Sequence, residues 1–348
     1  MADSIHNLRF SIIIVSWNAL SLLKDYLPSV AATDYPEFEI ILADNASTDG
    51  SKKWVREHFP DIKIAAFDEN HGYCGGNNRA APYATGDILL FLNNDVRVEP
   101  NWLDGLADCF DDDPEIAAVQ PKMLSDEQPE YFEYAGAAGG FLDRFGYPFC
   151  RGRIFDTVEK DHGQYDNQTN IFWASGAALA IRREAFTAAG GFDEDFEFHM
   201  EEIDLCWRLW TNGYKIQFCP ESIVYHLGGG SMPMGSPRKV YYNYRNNLKM
   251  LWKNCSIDTL YWRFPIRYCL DVAASLRSLV NADWQEFKAI IRAHCDFWRS
   301  FHQTQIKRAD LLRERKTDSD PEAMLPIIII WEYFKKKKRT FREINSST

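Results

Sequence analysis

Five consecutive apolar residues, Ile88–Leu92 (ILLFL), carry no charge and stop abruptly at Asn93-Asn94-Asp95. An uncharged run of this length, flanked by polar residues, predicts a strand buried on both faces of a mainly parallel sheet. A chain built on such a strand must lay helices over both faces. The polar stop falls where open α/β sheets bind ligands, at the carboxyl ends of their strands. Asp95 offers a hard carboxylate oxygen of the kind Mg²⁺ or Mn²⁺ accepts, and Asn93 or Asn94 could orient it or take a sugar hydroxyl. Asn and Asp are also turn formers, and from this triplet alone a plain turn is the simpler reading.

The preceding sequence repeats the pattern. Phe10–Ser16 (FSIIIVS), Phe38–Ala43 (FEIILA) and Ile62–Phe67 read as strands. Leu20, Leu23, Leu27 and Val30 mark a helix between the first two, and Lys52–His58 a second helix. This alternation predicts a doubly wound, mainly parallel α/β sheet flanked by helices. Parallel strands would gather their polar ends along one edge, Asp44 and Asn45 beside Asn93-Asn94-Asp95. The glycine-rich stretch Asn70–Arg79 (NHGYCGGNNR) permits close backbone approach, with a helix expected from near Asn77 whose amides would face an anion. A tight connection explains it equally well. Trp102–Phe110 reads as a helix, Ile116–Val119 as a strand, and residues 124–170 as a loop-rich insertion on the acceptor side. Phe172–Arg182 should be a strand in which Gly176 lets a ligand or backbone approach, and Lys215–Cys219 another strand.

Charge divides the 348 residues. Positions 1–236 hold 17 Lys and Arg against 38 Asp and Glu; positions 237–348 hold 22 against 12. The acidic body argues against broad nucleic-acid binding, while the basic remainder suits an anionic surface. We therefore expect a catalytic domain over 1–236 and a helical, basic extension over 237–348. The eight cysteines include no CxxC pair, Met1–Phe10 lacks the apolar core of a leader, and no apolar run reaches the roughly 18 residues of a spanning helix. Reduced thiols and a cytoplasmic location are expected.

A second informative stretch is Gly190–Gly213 (GGFDEDFEFHMEEIDLCWRLWTNG). Glu201, Glu202 and Asp204 open a helix, where acidic residues favour the helix dipole and Asp204 can pair with Arg208. A carboxylate at such a helix start can equally project into a cleft as a general base. His226 precedes the flexible run Gly228-Gly229-Gly230-Ser231; a lone histidine is more often structural than a ligand.

Taken in order, SIIIVSWN, ADNASTDGS, NHGYCGGNNR, GDILLFLNND, GGFDEDFEFHMEEIDLCWR and YHLGGGS resemble glycosyltransferase family 2, of GT-A fold, and within it rhamnosyltransferase-like enzymes of bacterial surface-polysaccharide assembly. The resemblance covers residues 10–250. It implies that Asp44 recognises the nucleotide base and that Asp95 binds the metal, with Asn93 replacing the first acid of the family's acidic pair. Glu202 takes the place of the catalytic base where the family usually has Asp, and Glu201 competes for that role. His226 resembles a histidine that completes the metal shell. Asn45, Asn93, Asn94, Arg79 and Trp173 would line the nucleotide-sugar site. The implied chemistry is inverting transfer from a UDP- or dTDP-sugar to a glycan or lipid-linked acceptor, using Mg²⁺ or Mn²⁺. An ordinary Glu, with a pKa near ~4.3, would be ionised at neutral pH without special tuning. A nucleotidyltransferase is the alternative enzyme class, and a non-catalytic sugar-nucleotide or glycan binder the alternative to an enzyme.

Beyond the resemblance, Tyr241–Trp252, Ile257–Leu279 and Trp284–Arg315 look helical. Met324–Phe334 (MLPIIIIWEYF) then precedes Lys335–Arg339 (KKKKR). That pairing suits attachment of residues 324–342 to an anionic membrane surface, or an ordinary docking helix followed by solvated charge.

Overall fold

The computed structural model describes residues 8–228 and 235–345. Strands and helices alternate as far as residue 112: β1 (Phe10–Ser16), α1 (Leu20–Ala31), β2 (Phe38–Asp44), α2 (Ser51–His58), β3 (Lys63–Ala66), α3 (Gly72–Ala80), β4 (Ile88–Leu92), β5 (Val96–Val98) and α4 (Trp102–Asp112). β6 (Ile116–Ser125) leads into the short strands β7 (Gly140–Asp143), β8 (Pro148–Cys150), β9 (Arg153–Ile154), β10 (Thr157–Val158) and β11 (Thr169–Asn170). There follow β12 (Ala178–Arg182), α5 (Arg183–Ala188), α6 (Glu201–Thr211) and β13 (Lys215–His226).

The main sheet runs β11-β13-β6-β12-β4-β1-β2-β3, with β5 attached to β13. It is parallel through β4, β1, β2 and β3; β12 then enters antiparallel, and the far half is mixed. The apolar runs explain both faces. Ile12 and Ile14 of β1, with Leu90 of β4, pack under α1 and α4, while Ile13, Leu89 and Phe91 pack on the opposite face with α3 and α6. Fully enclosing each such side chain contributes roughly 1.5–3 kcal/mol, so one charge in this block would cost a large part of the fold's stability.

Two expected elements differ. The strand expected over Phe172–Arg182 begins only at Ala178, because Trp173 instead bridges to Gly140 of a second, five-stranded sheet. The expected helix near Asn77 begins at Gly72, whose N–H donates to Asn70 Oδ1. Gly75 and Gly76 therefore lie inside α3. A Cβ at Gly76 would stand 2.9 Å from the Asn45 amide, so this glycine serves helix-to-sheet contact, not a phosphate.

The C-terminal region comprises α7 (Pro237–Asn254), α8 (Ile257–Val280), α9 (Trp284–Arg299), α10 (Phe301–Glu314), β14 (Met324–Leu325) and α11 (Phe341–Asn345). The single helix expected over Trp284–Arg315 breaks at Ser300. This region has no separate core. Leu248 and Leu251 of α7, with Ile329, Tyr333 and Phe341, join the cluster that holds Phe141, Phe149 and Trp207, and β14 extends the second sheet beside β7. Ile327, Ile329 and Tyr333 are thus docked on the protein itself, whereas Trp331 and Phe334 remain exposed. Lys336 and Lys338 of the basic run pair with Glu332. Docking therefore accounts for most of the Met324–Phe334 segment.

Candidate active site

The carboxyl ends of β1, β2 and β4 meet at one edge. Ser16 pairs with Asp44 across β1 and β2, and Ile14 pairs with Leu92 across β1 and β4. β2 and β4 thus flank β1, so their carboxyl ends stand two strand spacings apart, about 10 Å. Asp44 is fully buried. Its Oδ2 accepts from the Ser47 N–H and from Lys52 Nζ at 2.9 Å, while Oδ1 is enclosed with no partner. Asn45 donates through Nδ2 to Gly72 O, and its Oδ1 is also unpartnered. Ser16 Oγ and both side-chain polar atoms of Asn77 share that condition. Buried polar atoms are ordinarily satisfied, so this cluster at a strand edge leaves donors and acceptors open to a ligand or water.

Beyond β4 the chain turns through Asn93-Asn94-Asp95 into β5. That strand pairs antiparallel with β13 and sets His226 opposite Val96. His226 Nε2 lies 3.2 Å from Asp95 Oδ1, and Asn93 Nδ2 is 3.4 Å from the same nitrogen. On the other ring face, Nδ1 lies 3.3 Å from Glu133 Oε1. Burial alone would depress the His226 imidazole, but Asp95 and Glu133 raise it to about 10. Among the described residues no group of three His, Cys, Asp or Glu side chains is arranged to hold a metal. Asp95 supplies a hard oxygen donor, and His226 a nitrogen donor once a cation displaces the proton it shares with Asp95, which fits a cation that draws its remaining ligands from a diphosphate and water.

Two hydrogen bonds tie the segment before β12 to the same edge. Asn93 N–H donates to Ala177 O, and Tyr73 Oη donates to Gly176 O at 2.6 Å. Tyr73 in turn feels the charges of Glu201 and Glu202.

Residues 11–188, just over half of the chain, match the sequence profile described as "Glycosyl transferase family 2". The chain belongs to this family. Over 222 residues it is 32% identical to the O-antigen biosynthesis protein RfbC of Myxococcus xanthus; that alignment takes in 63% of this chain but only 17% of RfbC. It is 26% identical over 285 residues to an N-acetylglucosaminyl-diphospho-decaprenol L-rhamnosyltransferase of Mycobacterium tuberculosis, covering 77% of this chain and 91% of the relative. Among solved structures, S. aureus TarS 1-349 in complex with UDP-GlcNAc superposes with TM-score 0.57 at 17% identity, over 88% of this chain and 90% of that one. GalNAc-T7 with UDP, GalNAc and Mn²⁺ gives 0.56 at 20% identity, over 72% and 49%. These likenesses establish the GT-A fold, and the chain is a glycosyltransferase.

In this family 2 enzyme the segment before α6 is strained. Glu197, His199 and Met200 all have positive φ (61°, 65° and 75°), a conformation costing about 1–3 kcal/mol at each non-glycine residue. Asn246 of α7 holds the segment by donating to Phe196 O, Phe198 O and His199 O at 2.7–2.9 Å, and Arg245 adds a pair to Glu197. α6 is anchored below by Asp204, which is fully buried among Arg208, Lys253 and Asn254. The two glutamates are thereby fixed, each with Oε2 enclosed and unpartnered.

Their environment corrects the expectation of an untuned carboxylate. Burial raises Glu202 to about 7 against the bonds it accepts from backbone N–H groups, and burial together with the Glu202 charge raises Glu201 well above its ordinary range. Glu201 is the more buried residue and the later of the two to ionise.

Two expected lining residues are engaged elsewhere. Arg79 pairs with Glu194 at 2.9 Å and donates to Gly75 O. Trp173 is a core residue whose indole N–H donates to Phe141 O. Residues 229–231 of the glycine run lie outside the described residues. The sequence reading missed Glu133, which the bridge between Leu124 and Phe132 carries next to the end of β13. It also passed over Trp17, whose ring is 56% exposed immediately after Ser16. A tryptophan left in solvent at the end of a buried strand was the available signal for the second; nothing local marked the first.

Proposed function

We propose that this chain transfers a sugar, rhamnose being the leading candidate, from a dTDP or UDP donor to a glycan or lipid-linked acceptor in surface-polysaccharide assembly. The reading draws on the relatives named for O-antigen biosynthesis and for rhamnosyl transfer to a decaprenyl-linked sugar. The observation that carries it is the Asp95–His226 pair at the sheet edge where buried acceptors of Asp44 and Asn45 are left without partners. Asp44 Oδ1 accepts from the N–H shared by uracil and thymine, Trp17 stacks on the base, and Asn45, Asn93 and Asn94 bind the ribose, diphosphate or sugar. Mg²⁺ or Mn²⁺ on Asp95 and His226 would neutralise the leaving diphosphate as a Lewis acid. Ionised Glu202 takes the proton of the acceptor hydroxyl as that oxygen bonds to the anomeric carbon and the bond to the diphosphate breaks. Attack opposite the leaving group inverts the anomeric centre, through an oxocarbenium-like transition state. Glu201 stays protonated and adds no second charge.

A nucleotidyltransferase is disfavoured because the segment after β1, Ser16–Tyr26, contains no basic glycine-rich loop. A lipid-linked acceptor would place the enzyme at the inner face of the plasma membrane as a peripheral protein. The test is a panel of dTDP-, UDP- and GDP-sugars with product stereochemistry read by NMR. Transfer with inversion from a dTDP- or UDP-sugar is expected; retention, or no turnover of any donor, would overturn the proposal.

A further inference from the structure

α8 is built inside out. Its buried side chains are largely polar: Arg263 bonds Asp320 and the Arg144 carbonyl, Arg267 pairs with Asp271, and His294 of α9 lies 3.2 Å from Asp271. Its outer face carries Tyr261, Ile266, Val272, Leu276, Leu279 and Val280, exposed by 36–85%. Between Tyr261 and Leu276 every charged side chain is buried, so the outer face there presents no charge. A water-facing helix has the opposite arrangement, apolar residues inward and charges outward. At 1.5 Å per residue the stripe from Tyr261 to Val280 is about 30 Å long. Ile291 and Trp298 of α9 line one groove with Val272 and so continue the stripe, flanked by the exposed Lys288 and by Arg292 and Arg299, which share Asp296.

The structure assigns this face to an anionic lipid bilayer, with α8 lying in the interfacial plane. This rests on the peripheral membrane location proposed above. None of the described helices is long and apolar enough to cross a membrane, so the face is a docking surface and not a span. Charge selects the occupant. Arg277, Lys288, Arg292 and Arg299 are exposed beside this face and Lys335–Lys337 beyond it, against exposed Asp258 and Asp283 and half-buried Glu286 and Asp296, an excess of positive charge that favours anionic headgroups. A second contact lies close by. The Arg144 N–H donates to Ile327 O while its guanidinium sits 5.3 Å from the Trp262 ring, linking α8 to the segment bearing exposed Trp331, Phe334 and Lys335–Lys337.

The experiment is flotation of the full chain with vesicles of phosphatidylcholine, with and without phosphatidylglycerol. Wild type should float with the anionic vesicles, and the double substitution Val272→Glu, Leu276→Glu should lower the bound fraction at least tenfold while Tm and nucleotide binding stay unchanged. Exposed Cys269 on the same helix serves as a second probe that alters no apolar contact. In a Cys295→Ser background, an environment-sensitive dye on Cys269 should shift to the blue on anionic vesicles. A wild type that fails to float overturns both the membrane location and this assignment. Flotation that survives the double substitution, or an unshifted dye, overturns the assignment alone. A wild-type dimer that the double substitution converts to monomer would give the face to self-association and remove the bilayer. Transfer to a water-soluble acceptor should persist in the double variant, so loss of transfer chemistry is read separately from loss of docking.

Discussion

Replacing Glu202 by Gln tests the site through stability as well as rate. The folded state raises this carboxyl from 4.5 to about 7, chiefly by burial. A raised folded-state pKa means that the native protein keeps the proton between about 4.5 and 7, where the unfolded chain has already lost it. Stability therefore falls as pH rises through that window. At 1.36 kcal/mol per pH unit the full cost at pH 8 is about 3 kcal/mol. Glu202 keeps some contact with solvent and shares its titration with Glu201, so we take about 2 kcal/mol at pH 8 and under about 1 kcal/mol at pH 5.5. Gln removes the charge at nearly constant volume. For 348 residues, at roughly 2 cal/mol/K of unfolding entropy per residue, its Tm should rise about 3 °C at pH 8 and about 1 °C at pH 5.5. Transfer should fall about 10²–10⁴-fold, the usual worth of a general base, with nucleotide affinity retained. The wild-type rate should decline on the acid side with an apparent pKa near 7. Thermal melts at both pH values and a pH–rate profile are sufficient. A Tm change of the same size at both pH values, or an acid limb near 4.5, would refute the buried-base argument.

Three further outcomes follow from the same geometry. Gly140→Ala places a Cβ 2.0 Å from the Trp173 indole, so chemical denaturation should show a loss of at least about 3 kcal/mol, the upper part of the overpacking range. Trp17→Ala should weaken nucleotide binding by about 1–3 kcal/mol if the ring stacks on the base, measured by calorimetry, with Tm almost unmoved because the ring is exposed. Asn246→Ala removes three bonds to the strained segment before α6; kcat should drop while nucleotide affinity holds, and unchanged kcat would show that α7 does not position Glu202.

The sequence discloses what depends on unbroken apolar runs. β1, β2 and β4 each hold an unbroken aliphatic or aromatic run of at least four residues, and their polar ends meet at one edge because the strands are parallel. β6 was read short because Gln120 and Lys122 interrupt its pattern; Lys122 is buried only by virtue of Asp161 and Asp166, some 40 residues on in sequence. The glycine-rich stretch misled because the same residues that could cradle a phosphate also permit a helix to press on Asn45. Glu133 acquires its place because the end of β6, to which its segment is bridged, pairs with the distant β13, and the tuning of Glu202 comes from burial that no local pattern encodes. α8 displays the limit of periodicity most clearly. Its helical spacing was legible, but which face is outside depends on Asp320 and His294 drawing Arg263 and Asp271 inward.

The central claim, that Asp95 and His226 form the diphosphate end of a site whose base is Glu202, is tested most directly by calorimetric titration of UDP and dTDP in Mn²⁺. Wild type and Glu202→Gln should bind alike, and Asp95→Ala should bind at least tenfold more weakly with its dependence on Mn²⁺ lost. Asp95→Ala binding as tightly as wild type, with the same response to Mn²⁺, would contradict the account.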